Sequence, residues 1–207
     1  MKKINICVFI SGGGTNLENI IDKCHSGFIN GEVKLLVSDK KEAYGLERAK
    51  NHNIKSYVHE KGADGKRDVE KLLEAMDESE IDLVILAGYL SIVEKNVINK
   101  YRNKIINIHP SLIPSFCGKG FYGMKVHEAA IKRGVKISGA TVHYVDEGTD
   151  TGPIVMQKTV EVDEDDTAES LQKKVLNIEY EILGKVARLI SLEKIYVEDG
   201  TVRRRRD

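Results

Sequence analysis

The sequence predicts an α/β protein: a doubly wound, mostly parallel sheet with a long helix near the C-terminus. Five short apolar runs occur within the first 108 residues, and segments with helical spacing separate them. Short apolar runs that end at glycine or turn residues are typical of strands buried on both faces. Strands that alternate with helices indicate a parallel sheet with helices on both faces. Apolar residues at helical spacing over residues 167–192 predict the long helix.

The predicted elements alternate regularly along the first half of the chain. Apolar runs predict strands over residues 4–10, 33–37, 54–58, 83–87 and 105–108. Apolar residues three and four positions apart predict helices that start near residue 16 and cover 43–50, 66–79 and 92–101. Folds of this class bind ligands beyond the carboxyl ends of their strands. Polar or glycine-rich segments follow three strands, at 11–14, 88–91 and 107–110, and they predict a single cleft.

The second half of the chain has a different pattern. Residues 110–123 are rich in Gly, Ser and Pro, which predicts a long loop. A helix is predicted over 124–133, two strands over 137–145 and 153–162, and a hairpin around Glu198-Asp199-Gly200. No repeat or linker divides the chain. We therefore expect one domain over residues 1–192, followed by a hairpin and a basic tail over 193–207.

The composition excludes several classes of protein. The 32 Lys and Arg residues balance the 32 Asp and Glu residues, so the charge does not favour nucleic acid or an anionic membrane. The three cysteines lack the spacing of a zinc site or a disulfide framework, so no metal is expected. No run reaches the roughly 18 apolar residues of a membrane span. The first residues lack the features of a signal peptide, and the expected location is the cytoplasm.

The first candidate site is the glycine-rich segment after the first strand. Its residues Gly12, Gly13, Gly14, Thr15 and Asn16 lie between a predicted strand and a predicted helix. Backbone N–H groups in such a turn can approach an anion, and the helix N-terminus adds partial positive charge. Two other interpretations stay open. The glycines can simply form a tight turn that needs positive φ, and Thr15 or Asn16 can cap the helix.

The second candidate site is the end of the fifth strand, where Asn107 and His109 precede Pro110. Alternation along a strand sends both side chains to the same side of the sheet. A buried amide and imidazole need hydrogen-bond partners, so a mutually bonded structural pair is one possible reading. A reactive pair is the other.

The third candidate is the acidic loop over 146–152, with Asp146, Glu147 and Asp150. In isolation it would be a solvated loop. Because it lies between Thr141-Val142-His143 and Gly152-Pro153, it becomes a candidate partner for His109. The other histidines are interpreted as surface or packing residues: His25, His52, His59 and His127. Residues Arg203 to Arg206 are interpreted as a solvated tail.

Taken together, these motifs resemble the phosphoribosylglycinamide formyltransferases, folate-dependent enzymes of purine biosynthesis. The resemblance runs from Ile4 to about Leu192. It rests on Ser-Gly-Gly-Gly-Thr-Asn (11–16), Ala-Tyr-Gly-Leu-Glu-Arg-Ala (43–49), Leu-Ala-Gly-Tyr-Leu (86–90), Asn-Ile-His-Pro-Ser-Leu-Ile-Pro (107–114) and His-Tyr-Val-Asp-Glu-Gly-Thr-Asp-Thr-Gly-Pro (143–153). It implies the Rossmann-like formyltransferase fold.

The resemblance implies transfer of a formyl group from 10-formyltetrahydrofolate, as co-substrate, to the amine of glycinamide ribonucleotide. Both partners would be small molecules, without nucleic acid, membrane or metal, and the enzyme would be a monomer or homodimer. A substrate-phosphate half would cover about 1–100 and a folate and catalytic half about 101–192. The implied catalytic residues are Asn107, His109 and Asp150.

The resemblance also implies the binding residues. Those for the substrate would be Gly12, Gly13, Gly14, Thr15, Asn16 and Glu179. Those for folate would be Arg67, Tyr89, Leu90, Ser91, Ile92, Val93, Asn107, Val145 and Asp146. Leu90-Ser91 departs from the Met-Arg that is common in the family, and the loop after Pro114 looks slightly longer than usual.

The chemistry of these residues agrees with the implied reaction. When an amine attacks a formyl carbon, negative charge develops on oxygen, and Asn107 can donate an N–H to that oxygen. A protonated His109 would donate a second hydrogen bond; removing one such donor costs roughly two to three powers of ten in rate. Asp150 would hold His109 in its charged form and accept a proton, directly or through water.

Three other functions remain as alternatives. Formyltetrahydrofolate deformylase usually has His-His-Ser where this chain has His-Pro-Ser, and it carries an added N-terminal domain. Methionyl-tRNA formyltransferase usually has Gly at the position of Pro110 and carries a basic C-terminal domain. A nucleotide-binding regulatory module would use only the glycine-rich loop, and it would not require Asn107, His109 and Asp150 to meet.

Overall fold

The chain divides into two compact units, residues 1–106 and 107–207. The computed structural model describes residues 2–63 and 65–205. Arg206, which belongs to the predicted basic tail, lies outside the described residues.

The first unit is built from parallel strands that alternate with helices. Its strands are β1 (Ile4–Ile10), β2 (Gly31–Ser38), β3 (Lys55–Val58) and β4 (Leu83–Leu86), and its helices are α1 (Thr15–His25), α2 (Gly45–Asn51), α3 (Val69–Glu78) and α4 (Lys95–Lys100). β1 pairs in parallel with β2 on one side and with β4 on the other, and β2 pairs in parallel with β3. Residues 6–10 of the central strand β1 are fully buried, which explains why that run is apolar on both of its faces.

The second unit begins within the fifth strand. β5 (Ile105–His109) starts in the first unit and ends in the second, and α5 (Met124–Arg133), β6 (Ile137–Tyr144), β7 (Ile154–Glu161), α6 (Ala168–Ser191), β8 (Ile195–Glu198) and β9 (Thr201–Arg204) follow. The main sheet has seven strands in the order β3-β2-β1-β4-β5-β6-β7, and β8 and β9 form a separate hairpin. β6 and β7 are antiparallel. The predicted fold class, a mostly parallel sheet with a long C-terminal helix, is confirmed.

Helix α6 is held at its N-terminus by a capping box. The Thr167 hydroxyl accepts a hydrogen bond from the backbone N–H of Ser170, and the Ser170 hydroxyl accepts one from the backbone N–H of Thr167. Lys174 adds ion pairs to Asp163 and Asp166, at 2.5 Å each. The apolar face of α6 packs on α5, β6 and β7 within the second unit.

Two helices begin three residues later than predicted. α4 begins at Lys95 rather than at Ile92, because residues 92–94 remain in the loop and Ile92 is 85% exposed. α3 begins at Val69 rather than at Lys66, because the Asp68 carboxylate caps the helix by accepting a hydrogen bond from the backbone N–H of Lys71. Over the described part of the chain, no helix combines the length and apolar character needed to cross a bilayer. Location in the cytoplasm stays a prediction.

Candidate active site

The glycine-rich loop and the loop after β4 are joined in the first unit. The backbone N–H of Ser11 donates to the carbonyl oxygen of Gly88 at 3.1 Å. The backbone N–H of Leu90 donates to the hydroxyl of Ser11 at 2.8 Å. Because β1 and β4 are parallel neighbours, their carboxyl ends lie at the same edge of the sheet. Two of the three segments predicted to share a cleft therefore meet.

The predicted substrate loop leads directly into α1. Gly12, Gly13 and Thr15 are exposed, and Asn16 is buried. The N-cap residue is Gly14, whose φ of +70° lies in the left-handed region that favours glycine. The alternative that Thr15 or Asn16 caps the helix is wrong, because no side chain makes a cap hydrogen bond. The helix end therefore carries the partial positive charge of its N-terminus without a side-chain oxygen to satisfy it.

A second glycine lets α2 approach this loop closely. The backbone N–H of Gly45 donates to the carbonyl oxygen of Gly12 at 3.1 Å. A Cβ atom on Gly45 would lie 2.1 Å from Cδ1 of Ile10 and 3.4 Å from the Cα of Gly14. Any larger residue there would have to displace the buried Ile10 side chain and would crowd the backbone of the loop.

Arg48 supplies a side-chain cation beside the loop, and sequence reasoning did not single it out. Its Nε donates to the carbonyl oxygen of Gly13 at 2.8 Å, and its Nη1 donates to Glu18 at 2.9 Å. His52 contacts the other oxygen of Glu18 at 2.6 Å. Burial raises the pKa of Glu18, but the bonds from His52 and Arg48 outweigh it and hold that pKa below its usual value. Arg48 could have been found from the sequence, because it lies in the segment 43–49 that carries part of the family resemblance.

A polar cluster surrounds Arg67 in the first unit. Nε of Arg67 donates to the carbonyl oxygen of His59 at 2.9 Å, and Nη2 donates to the hydroxyl of Ser91 at 2.6 Å. That hydroxyl donates to Asp39 at 2.5 Å. His59 is 1% exposed and lies 3.2 Å from Glu94. His59, interpreted from sequence as a surface or packing residue, is thus a buried member of this cluster.

The predicted folate residues after β4 differ in their exposure. Leu90 is 52% exposed and Ile92 85% exposed, so both offer apolar surface to a ligand. Val93 is buried in the core. Tyr89 packs edge-on against Phe9, with ring centroids 5.2 Å apart, and its buried hydroxyl has no partner among the described residues.

In the second unit, the Asn107 amide is bonded to a histidine. Nδ2 of Asn107 donates to Nε2 of His143 at 3.1 Å. The other ring nitrogen of His143, Nδ1, contacts the carbonyl oxygen of Tyr144 at 2.8 Å. Because a carbonyl oxygen only accepts, Nδ1 carries the proton and Nε2 is the acceptor in the neutral ring. Asn107 keeps its second N–H for another partner.

Asp150 lies between two histidines. Its Oδ1 is 3.6 Å from Nε2 of His143, and its Oδ2 is 3.6 Å from Nδ1 of His109. The backbone N–H of Gly118 donates to the same Oδ2 at 2.8 Å. The φ of Asp150 is +60°, a left-handed conformation that non-glycine residues rarely adopt. The chain thus holds this carboxylate in place at the expense of local strain.

His109 is oriented by a backbone carbonyl. Its Nε2 donates to the carbonyl oxygen of Phe116 at 2.9 Å, so Nδ1 is the nitrogen that faces Asp150. Burial lowers the pKa of His109 below 6.5, although Asp150 and the bond to Phe116 oppose that shift. A lowered pKa favours the neutral ring at pH 7, whereas the sequence reasoning expected Asp150 to hold His109 in its charged form.

The pKa of Asp150 is lowered, whereas burial alone would raise the pKa of a carboxyl group. Burial raises its pKa, but the protonated forms of His143 and His109 and the N–H of Gly118 together lower it below the usual value. The carboxylate is therefore ionised at neutral pH, next to two imidazoles. Sequence reasoning assigned no role to His143, although it begins the resemblance motif 143–153 and alternation places it on the same face as Thr141.

Three further predicted site residues, Val145, Asp146 and Glu179, also lie in the second unit. Oδ1 of Asp146 accepts bonds from the N–H of Gly148 at 3.1 Å and from the hydroxyl of Thr151 at 2.6 Å, so it shapes its own loop. Val145, next to it, is half-buried, and Glu179 is half-buried on α6. Among the described residues, no group of three or more His, Cys, Asp or Glu side chains is arranged to hold a metal ion.

Comparison with known proteins identifies relatives across nearly the whole chain. Residues 4–187 match the family model described as formyl transferase. Phosphoribosylglycinamide formyltransferase of Bacillus subtilis (strain 168) is 41% identical over 182 residues, which cover 87% of this chain and 90% of the relative. The chloroplastic enzyme of the same name from Vigna unguiculata is 40% identical over 203 residues. That alignment covers 97% of this chain but 65% of the longer plant protein.

A solved structure gives the same result for the fold. The crystal structure of phosphoribosylglycinamide formyltransferase from Anaplasma phagocytophilum superposes with a TM-score of 0.88 and 39% sequence identity. The match covers 98% of this chain and 95% of that one. These relatives carry the name that the sequence motifs resemble. The chain belongs to the formyl transferase family.

Proposed function

We propose that this protein transfers the formyl group of 10-formyltetrahydrofolate to the amine of glycinamide ribonucleotide in purine biosynthesis. The products are formylglycinamide ribonucleotide and tetrahydrofolate. One observation carries the proposal: an amide, two imidazoles and a carboxylate form a continuous chain of contacts. Asn107 lies 3.1 Å from His143, and Asp150 lies 3.6 Å from both His143 and His109. Membership of the formyl transferase family supports the group that is transferred.

Asn107 would stabilise the negative charge that develops on the formyl oxygen. The uncharged amine forms a bond to the formyl carbon, and negative charge moves onto the formyl oxygen. His143 accepts one N–H of Asn107 and so fixes the plane of the amide. The second N–H is then directed at the oxyanion without reorganisation, which is the property that makes such donors effective.

The proton is handled by His109 and Asp150. The neutral His109 has its lone pair on Nδ1, because Nε2 is bonded to the carbonyl oxygen of Phe116. Nδ1 can therefore take the proton that leaves the attacking amine, and Asp150 stabilises the resulting imidazolium. The C–N10 bond of the folate then breaks, and a proton passes to N10 as the tetrahydrofolate leaves. No net proton is gained or lost.

The binding roles are proposed from position and surroundings. Residues Gly12 to Asn16 would hold the substrate phosphate on backbone N–H groups at the start of α1, and Arg48 adds a cation next to that loop. Glu179 would contact the glycinamide portion. The folate would contact Arg67, Tyr89, Leu90, Ser91, Ile92, Val145 and Asp146. Val93 contributes only as a buried support for its loop.

The test is a formyl-transfer assay on the purified chain. We expect formylglycinamide ribonucleotide when both substrates are present, detected by mass spectrometry and by the absorbance of the folate product. D150N keeps the size of the side chain and removes its charge, and should reduce turnover roughly 10²–10⁴-fold, as loss of an acid–base group does. E147Q, which changes an exposed carboxylate of the same loop, is the matched control.

Two further arms separate the alternatives. Formate release from 10-formyltetrahydrofolate alone, at the rate seen with both substrates, would identify a deformylase. Formylation of methionyl-tRNA but not of glycinamide ribonucleotide would identify a tRNA formyltransferase. Either result, or normal turnover by D150N, contradicts the proposal.

A further inference from the structure

The hydroxyl of Thr141 uses all of its hydrogen-bonding capacity inside the second unit. It donates to the carbonyl oxygen of Ser111 at 2.6 Å. It accepts from the backbone N–H of Ile113 at 3.1 Å and from Nε2 of Gln157 at 3.0 Å. A hydroxyl has one donor and two acceptor sites, so none is left over. Thr141 is completely buried, and its bond to the Ser111 carbonyl is buried as well.

Gln157 reinforces the same attachment from the neighbouring strand. It is the register partner of Thr141 in the β6–β7 pair. Its Nε2 donates both to the Thr141 hydroxyl and to the carbonyl oxygen of Ile113, the latter at 2.9 Å. Both backbone groups of Ile113 are therefore bonded to side chains of the sheet.

The attached segment ends at the carbonyl group that orients His109. The hydroxyl of Ser111 donates to the carbonyl oxygens of Ser115, at 2.6 Å, and Phe116, at 3.3 Å. The Phe116 oxygen also accepts the bond from Nε2 of His109, at 2.9 Å. The φ of Phe116 is +50°, a conformation that persists only where the surroundings enforce it.

We propose that Thr141 is a positioning residue for formyl transfer: it fixes residues 111–116 on β6 and so fixes the Phe116 carbonyl that orients His109. This inference rests on the function proposed above. Thr141 itself touches no reacting atom; it acts through the 111–116 segment. Displacement of a catalytic group by about 1 Å can cost a hundredfold in rate, so such a support is felt in turnover rather than in binding.

Packing alone does not require a threonine at position 141. Its neighbours Ala140 and Val142 on β6 are buried and apolar, and a valine would fill the volume of Thr141 equally well. A valine would leave the Ser111 carbonyl and the Ile113 N–H without their side-chain partners. Those two groups lie on the segment that carries the Phe116 carbonyl, so their release would affect the orientation of the His109 ring.

The experiment compares T141V, T141S and S138A. T141V keeps the shape and removes the hydroxyl, whereas T141S keeps the hydroxyl and removes a methyl group. S138A removes a buried hydroxyl from the same strand, at a position whose side chain faces the other side of the sheet. We expect kcat of T141V to fall about 10–100-fold, with KM for both substrates within threefold of wild type. T141S and S138A should stay within threefold in kcat.

A second readout does not depend on turnover. The pKa of the His109 imidazole is measured by NMR in each variant, with its facing titratable groups Asp150, His143 and His127 unchanged. The bond to Phe116 raises the pKa of His109, so T141V should lower it further and T141S should restore it. Equal losses of kcat in T141V and T141S, or a His109 titration unchanged by T141V, would overturn the inference. An inactive wild-type protein would count against the proposed function alone, because the His109 titration would still be measurable.

Discussion

His109 has two ring nitrogens in different surroundings, and that difference determines its chemistry. Nε2 is bonded to the Phe116 carbonyl, while Nδ1 faces the Asp150 carboxylate at 3.6 Å. Burial favours the neutral ring and Asp150 favours the charged one, and burial prevails. The lowered pKa favours the neutral His109 ring at pH 7, and Asp150 is placed to stabilise the charged form.

This balance predicts the titration of His109 in D150N. Asp150 raises the pKa of His109, so its loss should move the midpoint to lower pH than in the wild type, where it already lies below 6.5. The midpoint is measured by NMR of the imidazole protons. E147Q should leave the titration unchanged, because Glu147 is exposed. A midpoint that rises in D150N would contradict the stabilisation of the charged His109 ring by Asp150.

The residue types of the site were predictable, but their hydrogen-bond partners were not. Asn107 and His109 could be found from alternation at the end of β5, and Asp150 from an acidic loop placed between two polar motifs. The surroundings of His143 and His59 could not be predicted, because sequence alone does not show whether a histidine on a strand or at a loop edge is buried. The tautomers depend on the carbonyl groups of Phe116 and Tyr144, which no side-chain pattern reveals.

At the level of elements, the loop between β6 and β7 carries Asp150, the proposed catalytic carboxylate, and its path depends on one glycine. A Cβ atom on Gly152 would lie 1.9 Å from the carbonyl oxygen of Tyr144 and 3.4 Å from the backbone N of Asp146. The obstacle is backbone, which cannot rotate away. Any larger residue must therefore displace the loop that holds Asp150.

We predict that G152A reduces kcat at least tenfold, since a shift of about 1 Å in a catalytic group is enough for such a loss. T149A is the matched control, because Thr149 is exposed in the same loop. The rates are compared in the formyl-transfer assay, and circular dichroism establishes that G152A remains folded. Wild-type turnover by G152A would show that the loop tolerates the displacement.

The elements themselves were predicted more accurately than their ends. Buried strands such as β1 and β4 are almost continuous apolar runs, and their observed limits lie within one residue of the predicted ones. The start of α4 was misplaced because Ile92 and Val93 continue the apolar spacing of the helix into a loop. One of them is 85% exposed and the other 6%, a contrast that spacing alone does not contain.

At the level of the whole molecule, a buried histidine outside the proposed catalytic group makes stability depend on pH. His127, on α5, is 2% exposed, and its Nδ1 has no partner among the described residues. Burial lowers its pKa from 6.5 to about 4, with a smaller contribution from His109. The folded state therefore favours the neutral ring more than the unfolded chain does.

The sign of the effect follows from linkage. A group whose pKa is lowered on folding stabilises the fold fully above its unfolded pKa, and this stability is lost as the pH falls toward the folded pKa. For His127 the window runs from pH 6.5 down to about 4. The loss amounts to at most about 3 kcal/mol, at 1.36 kcal/mol per pKa unit.

We predict that H127L, which cannot titrate, loses less unfolding free energy than the wild type between pH 6.5 and pH 4. Urea unfolding at a series of pH values measures this difference, and the subtraction removes contributions from His109 and the carboxylates, which both proteins share. H25L, at an exposed position, is the control and should follow the wild-type curve. If H127L and the wild type lose unfolding free energy in parallel, the pKa of His127 is not lowered by folding. The acid sensitivity of the molecule would then have to come from the Asp150 cluster, where D150N would reduce it.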